Sequence, residues 1–114
     1  MILKPGEKVH IITRRLFEND LRRHFAGEIE RVSDSALRVR GYSFVYDGAT
    51  NEFLRREEER LRVFPTEDAG LIINVIPDDT DLAKLAYLVN DEGERILTDG
   101  KSFSINVSEF GARR

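Results

Sequence analysis

The chain has 114 residues, of which 40% are hydrophobic and 34% are charged, and its formal net charge is −3. This length is typical of one domain with one core, and the strand-forming apolar runs exclude a disordered chain. The absence of cysteine excludes disulfides, thiolate metal sites and a cysteine nucleophile. No apolar stretch approaches the ~20 residues that cross a bilayer, and no signal-peptide core begins the chain, so we expect a cytoplasmic protein without a membrane partner.

The charges are unevenly distributed along the chain. Residues 1–64 carry 13 basic and 11 acidic side chains, whereas residues 65–114 carry 5 and 10. The basic residues of the first part are nearly all arginines, whose planar guanidinium groups suit bidentate contacts with phosphate or carboxylate. The acidic total excludes the broad positive field of a general nucleic-acid binder. Any contact with nucleic acid is therefore expected to be local.

The first part of the chain alternates in the manner of β-strands. Residues 8–13 are apolar on both faces and predict a strand that is buried on both sides. Residues 22–32 alternate, which predicts a half-buried strand with its polar face turned to water. The Ser-Asp-Ser run at 33–35 predicts a tight turn, and residues 36–46 predict a long strand after it.

The long strand changes character at Gly41. Leu37 and Val39 are apolar at odd positions before it, whereas the large aromatic side chains after it are at even positions. This pattern predicts that the buried face switches at Gly41, through a bulge or a sharp bend that glycine permits. Bent strands of this kind close small barrels.

Three further segments lead to Pro77. Residues 51–58 are ambiguous between helix and strand, residues 59–64 alternate as a strand, and residues 71–76 form a short apolar strand. The sequence therefore predicts a mainly β fold, with residues 1–77 forming one small, bent, antiparallel barrel.

Residues 78–114 are expected to form a C-terminal extension that packs as part of the same unit. Residues 82–89 fit either a helix with one apolar stripe or a strand. Asp99-Gly100 lies between two apolar runs and predicts a hairpin turn. The extension is thus a β-hairpin or meander, or an α+β element if 82–89 is helical.

The succession of elements over residues 8–77 resembles the Sm-like family of small barrels, which includes the Sm/LSm proteins and the bacterial Hfq type. Residues 25–34, Phe-Ala-Gly-Glu-Ile-Glu-Arg-Val-Ser-Asp, are similar to the family's first motif, and residues 70–76 resemble the second. The resemblance implies five bent antiparallel strands, edge pairing of the fourth and fifth strands into a ring, and an RNA-related role.

Two departures from the family pattern weaken the implied contact with RNA. Asp34 is followed by Ser35-Ala36-Leu37, where the family has a Met-Asn pair that helps to hold a base. Ala69 precedes Gly70, where the family usually has an arginine that contacts RNA. Only Asp34 and Gly70 carry over as matched positions.

Two arginine pairs are the most suggestive chemical feature. Arg38 with Arg40, and Arg60 with Arg62, are two residues apart, so each pair projects from one face of its strand. On neighbouring strands the four guanidinium groups would share a surface that binds phosphates, with Tyr42 stacking a base. The alternative pairs these arginines with nearby glutamates in a cross-strand charge ladder. The candidate nucleic-acid-binding residues are Arg38, Arg40, Arg60, Arg62, Tyr42, Asp34 and Gly70.

No motif for catalysis or metal binding is present in the sequence. His10 and His24 are the only histidines, and neither has the spacing of a metal ligand set. Gly-x-Ser-x-Gly and phosphate-binding glycine loops are missing, and the acidic runs at 78–81 and 90–94 lack the ligand spacing of an EF-hand. We therefore predict no enzymatic activity and no cofactor.

The sequence predicts a non-catalytic Sm-like binding or assembly module. It would form a homo-oligomer through its edge strands, with RNA as a candidate partner of the arginine-rich face. The alternative is a regulatory or small-ligand-binding barrel, such as a cyclic-nucleotide sensor or an enzyme-docking subunit, without a nucleic-acid role. A cyclic-dinucleotide site of the PilZ type is a minor alternative, because Asp34-Ser35 is not followed by glycine until Gly41.

Overall fold

The computed structural model describes residues 2–15, 22–68 and 70–108, and this part of the chain is mainly β. It contains nine strands and one three-residue 3₁₀ turn. Among these residues, no helix has the length and apolar character needed to cross a membrane. The chain divides into two compact units, Met1–Asp78 and Asp79–Arg114.

The first unit is one antiparallel sheet in which the strand order is β4–β3–β2–β1–β6, and β5 also pairs with β3. β4 pairs with the C-terminal part of β3 and β5 with its N-terminal part, so both lie along the same side of that long strand. Within the described residues, β5 and β6 each have a paired neighbour on one side only. The strands are β1 (Lys8–Thr13), β2 (Arg23–Val32), β3 (Ala36–Asp47), β4 (Glu52–Arg55), β5 (Arg60–Pro65) and β6 (Leu71–Ile76).

A short linker shows that this sheet curls. Residues 66–70 connect β5 to β6, with hydrogen bonds from Asp68 N–H to Pro65 O and from Leu71 N–H to Asp68 O. In a flat sheet β5 and β6 would be four strand spacings apart, roughly 19 Å. Two consecutive turns of this kind span at most about 14 Å. The two outer strands are therefore brought toward each other, although no ladder joins them in the described residues.

The core of the first unit lies on the inner face of the curled sheet. Phe64 of β5 and Ile73 of β6 both pack against it, so the two outer strands share one core. Burial of each large apolar side chain contributes roughly 1.5–3 kcal/mol. The buried core residues are Val9, Ile11, Phe25, Ile29, Leu37 and Val39.

Gly27 and Gly41 lie directly opposite each other where β2 and β3 approach closely. A Cβ atom on Gly41 would lie 2.5 Å from Gly27 Cα, and one on Gly27 would lie 2.8 Å from the carbonyl carbon of Arg40. Neither position has room for a side chain. The bulge expected at Gly41 is wrong: the register passes through it unbroken and shifts instead in β2, between Ile29 and Arg31.

The second face, meaning the face of the sheet turned away from this core, is also buried in part. Alternation in β3 continues past Gly41, so Phe44 lies on the second face, where it is 1% exposed. His10 and His24 are buried on the same face. The buried face therefore changes along β3 while the alternation stays regular. The polar face of β2 that we expected to meet water is buried at His24.

The second unit is a three-stranded antiparallel meander of β7 (Ala86–Val89), β8 (Arg95–Thr98) and β9 (Ser104–Asn106). The segment that fitted either helix or strand forms one 3₁₀ turn, Leu82–Lys84, followed by β7. The Asp81 side chain caps this turn by accepting a hydrogen bond from Ala83 N–H.

Asp99 organises the turn between β8 and β9. Its Oδ1 accepts hydrogen bonds from the backbone N–H groups of Lys101 and Phe103, at 2.9 and 3.2 Å, and Oδ2 accepts one from Asp81 N–H at 3.1 Å. These bonds, that of Lys101 foremost, hold the pKa of the Asp99 carboxyl below its usual value. Gly100 adopts a left-handed φ of 77°, which favours glycine. The hairpin turn predicted at Asp99-Gly100 is confirmed.

Candidate nucleic-acid interface

Three of the predicted site residues lie together on the second face of β3. Arg38, Arg40 and Tyr42 alternate with the core residues of the same strand and therefore project from one face. Arg40 is exposed, whereas Arg38 and Tyr42 are half-buried. Two guanidinium groups and one phenol ring are thus the part of the predicted interface that the structure brings together.

Arg60 and Arg62 lie on the opposite face from this group. β5 pairs with β3 so that Arg60 is opposite Gly41 and Arg62 is opposite Val39. Directly opposed residues of an antiparallel pair point to the same side, so both arginines are on the core face. The two strands are neighbours, as the prediction required, but their register does not produce the expected surface of four guanidinium groups.

Each of these two core-face arginines has a contact of its own. Arg60 Nη2 lies 2.7 Å from Glu58 Oε1. The guanidinium carbon of Arg62 lies 5.8 Å from the centroid of the Phe25 ring, at the outer limit of a cation–π contact. Arg62 therefore covers part of the core with its side chain.

Glu30 opposes much of the positive charge on the second face. Arg40 Nε donates a hydrogen bond to Glu30 Oε2 at 2.7 Å, and Arg40 Nη2 lies 2.6 Å from the same oxygen. Arg38 Nε lies 3.4 Å from Glu30 Oε1, and Arg40 Nη1 lies 3.8 Å from Glu59 Oε1. Arg38 and Arg40 thus make the arginine–glutamate contacts that were the alternative interpretation of the sequence.

The β-bulge in β2 determines which side chains join this face. Ile29 is opposite Val39 on the core face, and the extra residue Glu30 shifts the register so that Arg31 is opposite Arg38. In a regular strand Arg31 would share the core face with Ile29. Sequence reasoning missed Arg31 because the alternation of residues 22–32 contains no signal for the extra residue.

Arg55 is a further cation near this group. β4 pairs with β3 so that Arg55 is opposite Phe44, and its guanidinium carbon lies 5.0 Å from the centroid of the Tyr42 ring. This cation–π contact holds the phenol ring beside the arginines. Sequence reasoning did not place Arg55, because its segment was equally compatible with a helix.

Asp34 lies in the exposed turn between β2 and β3. Ser33 closes this turn, because its Oγ accepts hydrogen bonds from the N–H groups of Ser35 and Ala36 at 3.3 and 3.1 Å. Thr66 N–H donates to Ser35 O at 2.8 Å, so the start of the β5–β6 linker contacts the same turn. Asp34 is therefore carried on a turn that is held from two sides.

Gly70 lies at the other end of that linker. Its carbonyl oxygen accepts a hydrogen bond from Arg14 N–H at 2.8 Å, and its N–H donates to Asp68 Oδ1 at 2.7 Å. Gly70 thus anchors the linker to the end of β1. Ala69, which stands where the Sm-like family has its arginine, is outside the described residues, as are residues 16–21.

Among the residues that the structure describes, no three His, Cys, Asp or Glu side chains are grouped so that they could hold a metal ion. Compared with protein-family models, with curated proteins and with solved structures, the chain has no significant match. The case for a function therefore rests on the geometry of the sheet and of the arginines on its second face.

Proposed function

We propose that this chain is a non-catalytic assembly module of the Sm-like type, which forms homo-oligomers through the free edges of β5 and β6. One observation carries the proposal. β5 and β6 have six residues each, and within the described residues each has a hydrogen-bonded neighbour on one side only. A free strand edge presents N–H and C=O groups that a strand of another copy can satisfy.

The exposed side chains of β6 support this assembly. Ile72 and Val75 are 58% and 57% exposed, and the strand sequence Leu-Ile-Ile-Asn-Val-Ile contains no charge. Edges that avoid association usually carry charges or proline, and β6 carries neither. Pairing of β6 with β5 of the next copy would be a head-to-tail contact, which closes into a ring when the rotation allows it.

The order of the elements supports the Sm-like character of the module. Five longer strands follow one another, with β4 as an insert between the third and the fourth, and a short linker joins the last two. Gly27 lies within the second strand, where the family motif has its glycine. The family assignment is part of the proposal.

The mass of the protein in solution tests assembly directly. Multi-angle light scattering is expected to give a multiple of the 13.1 kDa chain mass that persists on dilution. A particle that stays at the mass of one chain at the highest soluble concentration would rule out assembly through the edges.

A second candidate function is binding of single-stranded RNA on the second face of β3. The observation in its favour is that Arg38, Arg40 and Tyr42 share that face, with Arg55 beside the phenol ring. Guanidinium groups contact phosphates, and an aromatic ring stacks on a base. Because Glu30 offsets part of the charge, the contact would involve few phosphates.

Salt dependence tests this second function. The affinity for a short oligouridylate is expected to fall as salt rises, because each phosphate contact releases a counterion. Arg38→Ala combined with Arg40→Ala is expected to abolish that binding. Arg60→Ala is the matched control, because Arg60 lies on the core face. An affinity that is the same in the double variant and in the control would exclude this interface.

A further inference from the structure

A depression of about 200 Å³ lies beside the β2–β3 turn, where β2, β3 and β5 meet. Arg31, Arg38 and Val63 line it, together with residues 32, 33, 36 and 37 around the β2–β3 turn. The register places Arg31 opposite Arg38 and Arg38 opposite Val63. These three side chains therefore form one row across three strands, with their Cβ atoms about 5 Å apart at each step.

The two arginines of this row lack a full set of counter-charges. Like charges directly opposite each other on a sheet repel. Glu30 is the carboxylate near Arg38, and its Oε1 lies 3.4 Å from Arg38 Nε. That nitrogen is buried and makes no hydrogen bond, whereas Glu30 accepts a hydrogen bond from Arg40. Within the described residues the Arg31 side chain has no ion pair. An anion in the depression would supply the missing charge.

We propose that the Arg31–Arg38 depression binds the phosphate group of a phosphate ester, whose organic part rests on Val63. Two guanidinium groups present several N–H donors in the fork geometry that matches phosphate oxygens. Val63 is 65% exposed and provides an apolar surface directly beside them. The site lies on a single chain, so it does not require assembly through the edges, and it shares Arg38 with the candidate RNA interface.

Two sources carry this chemistry, a phosphomonoester such as a mononucleotide and the phosphodiester backbone of RNA. Isothermal titration calorimetry with three probes separates them: inorganic phosphate, adenosine 5′-monophosphate and a hexauridylate without a terminal phosphate. Binding of adenosine monophosphate, more tightly than inorganic phosphate, assigns the site to a monoester. Binding of the hexauridylate alone assigns it to the diester. Either result supports the site.

Variants test which residues are responsible. Arg31→Gln and Arg38→Gln are each expected to weaken binding by roughly tenfold or more, because each removes charge-assisted hydrogen bonds. Val63→Ala is expected to weaken binding of the nucleotide and to leave inorganic phosphate unaffected. Arg60→Gln, on the opposite face, is the matched control, and thermal unfolding of every variant checks its fold.

Two results would overturn the site: no binding of any of the three probes, or equal affinities in the wild type and in both arginine variants. Neither result bears on assembly, because the mass in solution is measured without a ligand. A failure of this site and a failure of the proposed function are therefore distinguishable.

Discussion

His10 and His24 meet on the second face of the sheet, with His10 Nε2 3.2 Å from His24 Nδ1. Their rings are arranged edge to face, with centroids 5.0 Å apart, and the His24 ring lies 4.5 Å from that of Phe53. On the other side of His10, Asn74 Nδ2 lies 3.4 Å from Nδ1. His10 and His24 are 0% and 4% exposed. This buried polar contact connects β6, β1 and β2.

The contact suits neutral imidazoles. When Asn74 Nδ2 donates to His10 Nδ1, the His10 proton is on Nε2 and is donated to His24 Nδ1. A second proton on His10 would have to occupy Nδ1, toward which the amide donor already points. Burial lowers the pKa of His10 to about 4, so His10 is neutral in the folded protein at pH 7.

We expect the protein to lose stability when the pH falls from 6.5 to 4. The pKa of His10 is about 4 in the folded state, against 6.5 for the ordinary side chain, so the unfolded state binds more protons in this window. Neutral His10 therefore makes its full contribution to the free energy of unfolding above pH 6.5. This contribution decreases by up to about 3 kcal/mol as the pH falls toward 4. Urea unfolding followed by circular dichroism at successive pH values measures this loss.

His10→Gln is the variant that isolates this effect. Its amide keeps a donor and an acceptor at this position but does not titrate. Carboxylates that titrate in the same range are common to both proteins, so the difference between the two stability profiles reports His10 together with its contact to His24. Parallel profiles between pH 6.5 and pH 4 would contradict the prediction.

Gly41→Ala tests the close approach of β2 and β3. The new Cβ would lie 2.5 Å from Gly27 Cα, and the atoms that it meets belong to backbone, so the strands must separate. We expect a loss of roughly 1–3 kcal/mol in the free energy of unfolding, as for other overpacked sites. Gly48→Ala is the control, because its Cβ would meet nothing closer than 3.9 Å. Equal stability of the two variants would argue against the close approach.

Apart from β4, the strands of the first unit were predictable because each has a local cause. Short apolar runs predicted residues 8–13 and 71–76 as strands with the bounds that β1 and β6 have. The position of the bulge was not predictable, because the register shift at Glu30 depends on how β2 pairs with β3. The glycine signal at Gly41 reflects a close approach of two strands, and a single strand cannot distinguish this from a bulge.

The candidate site was predictable only within one strand. The spacing of two places Arg38 and Arg40 on one face, and Arg60 and Arg62 on one face, from geometry alone. Whether the two faces coincide depends on the register between β3 and β5, which places Arg62 opposite Val39. The pairing of β3 with β5 therefore separates the two arginine pairs onto opposite faces. The pairing of β2 with β3 adds Arg31 to the second face.

Charged substitutions on β6 test assembly through the edges. Ile72→Lys combined with Val75→Lys is expected to give a folded monomer, because charges on an edge strand oppose pairing between copies. Both side chains are more than half exposed, so the core of the chain is preserved. Light scattering gives the mass and circular dichroism gives the fold.

Val89→Lys is the matched control for these β6 variants. Val89 is 52% exposed on β7, in the second unit, and its substitution is expected to leave the oligomeric mass unchanged. An oligomer that persists in the β6 double variant would show that the interface between copies does not lie at the edge of β6.

Glu30→Gln tests whether electrostatics governs the second face. Glu30 is the carboxylate nearest to both Arg38 and Arg40, and the Glu30 and Arg40 side chains are 29% and 48% exposed. Loss of such a half-exposed ion pair is expected to cost less than about 1 kcal/mol of stability. If RNA binds this face, removal of the carboxylate strengthens binding and makes it more dependent on salt, whereas Arg40→Gln weakens binding.

Glu58→Gln is the matched control, because Glu58 pairs with Arg60 and not with the arginines of the second face. The opposite signs expected for Glu30→Gln and Arg40→Gln separate electrostatic binding from a loss of structure. A loss of structure would lower the affinity in both variants. Filter binding of a short oligouridylate at several salt concentrations measures both signs, and a lower affinity in Glu30→Gln would contradict the prediction.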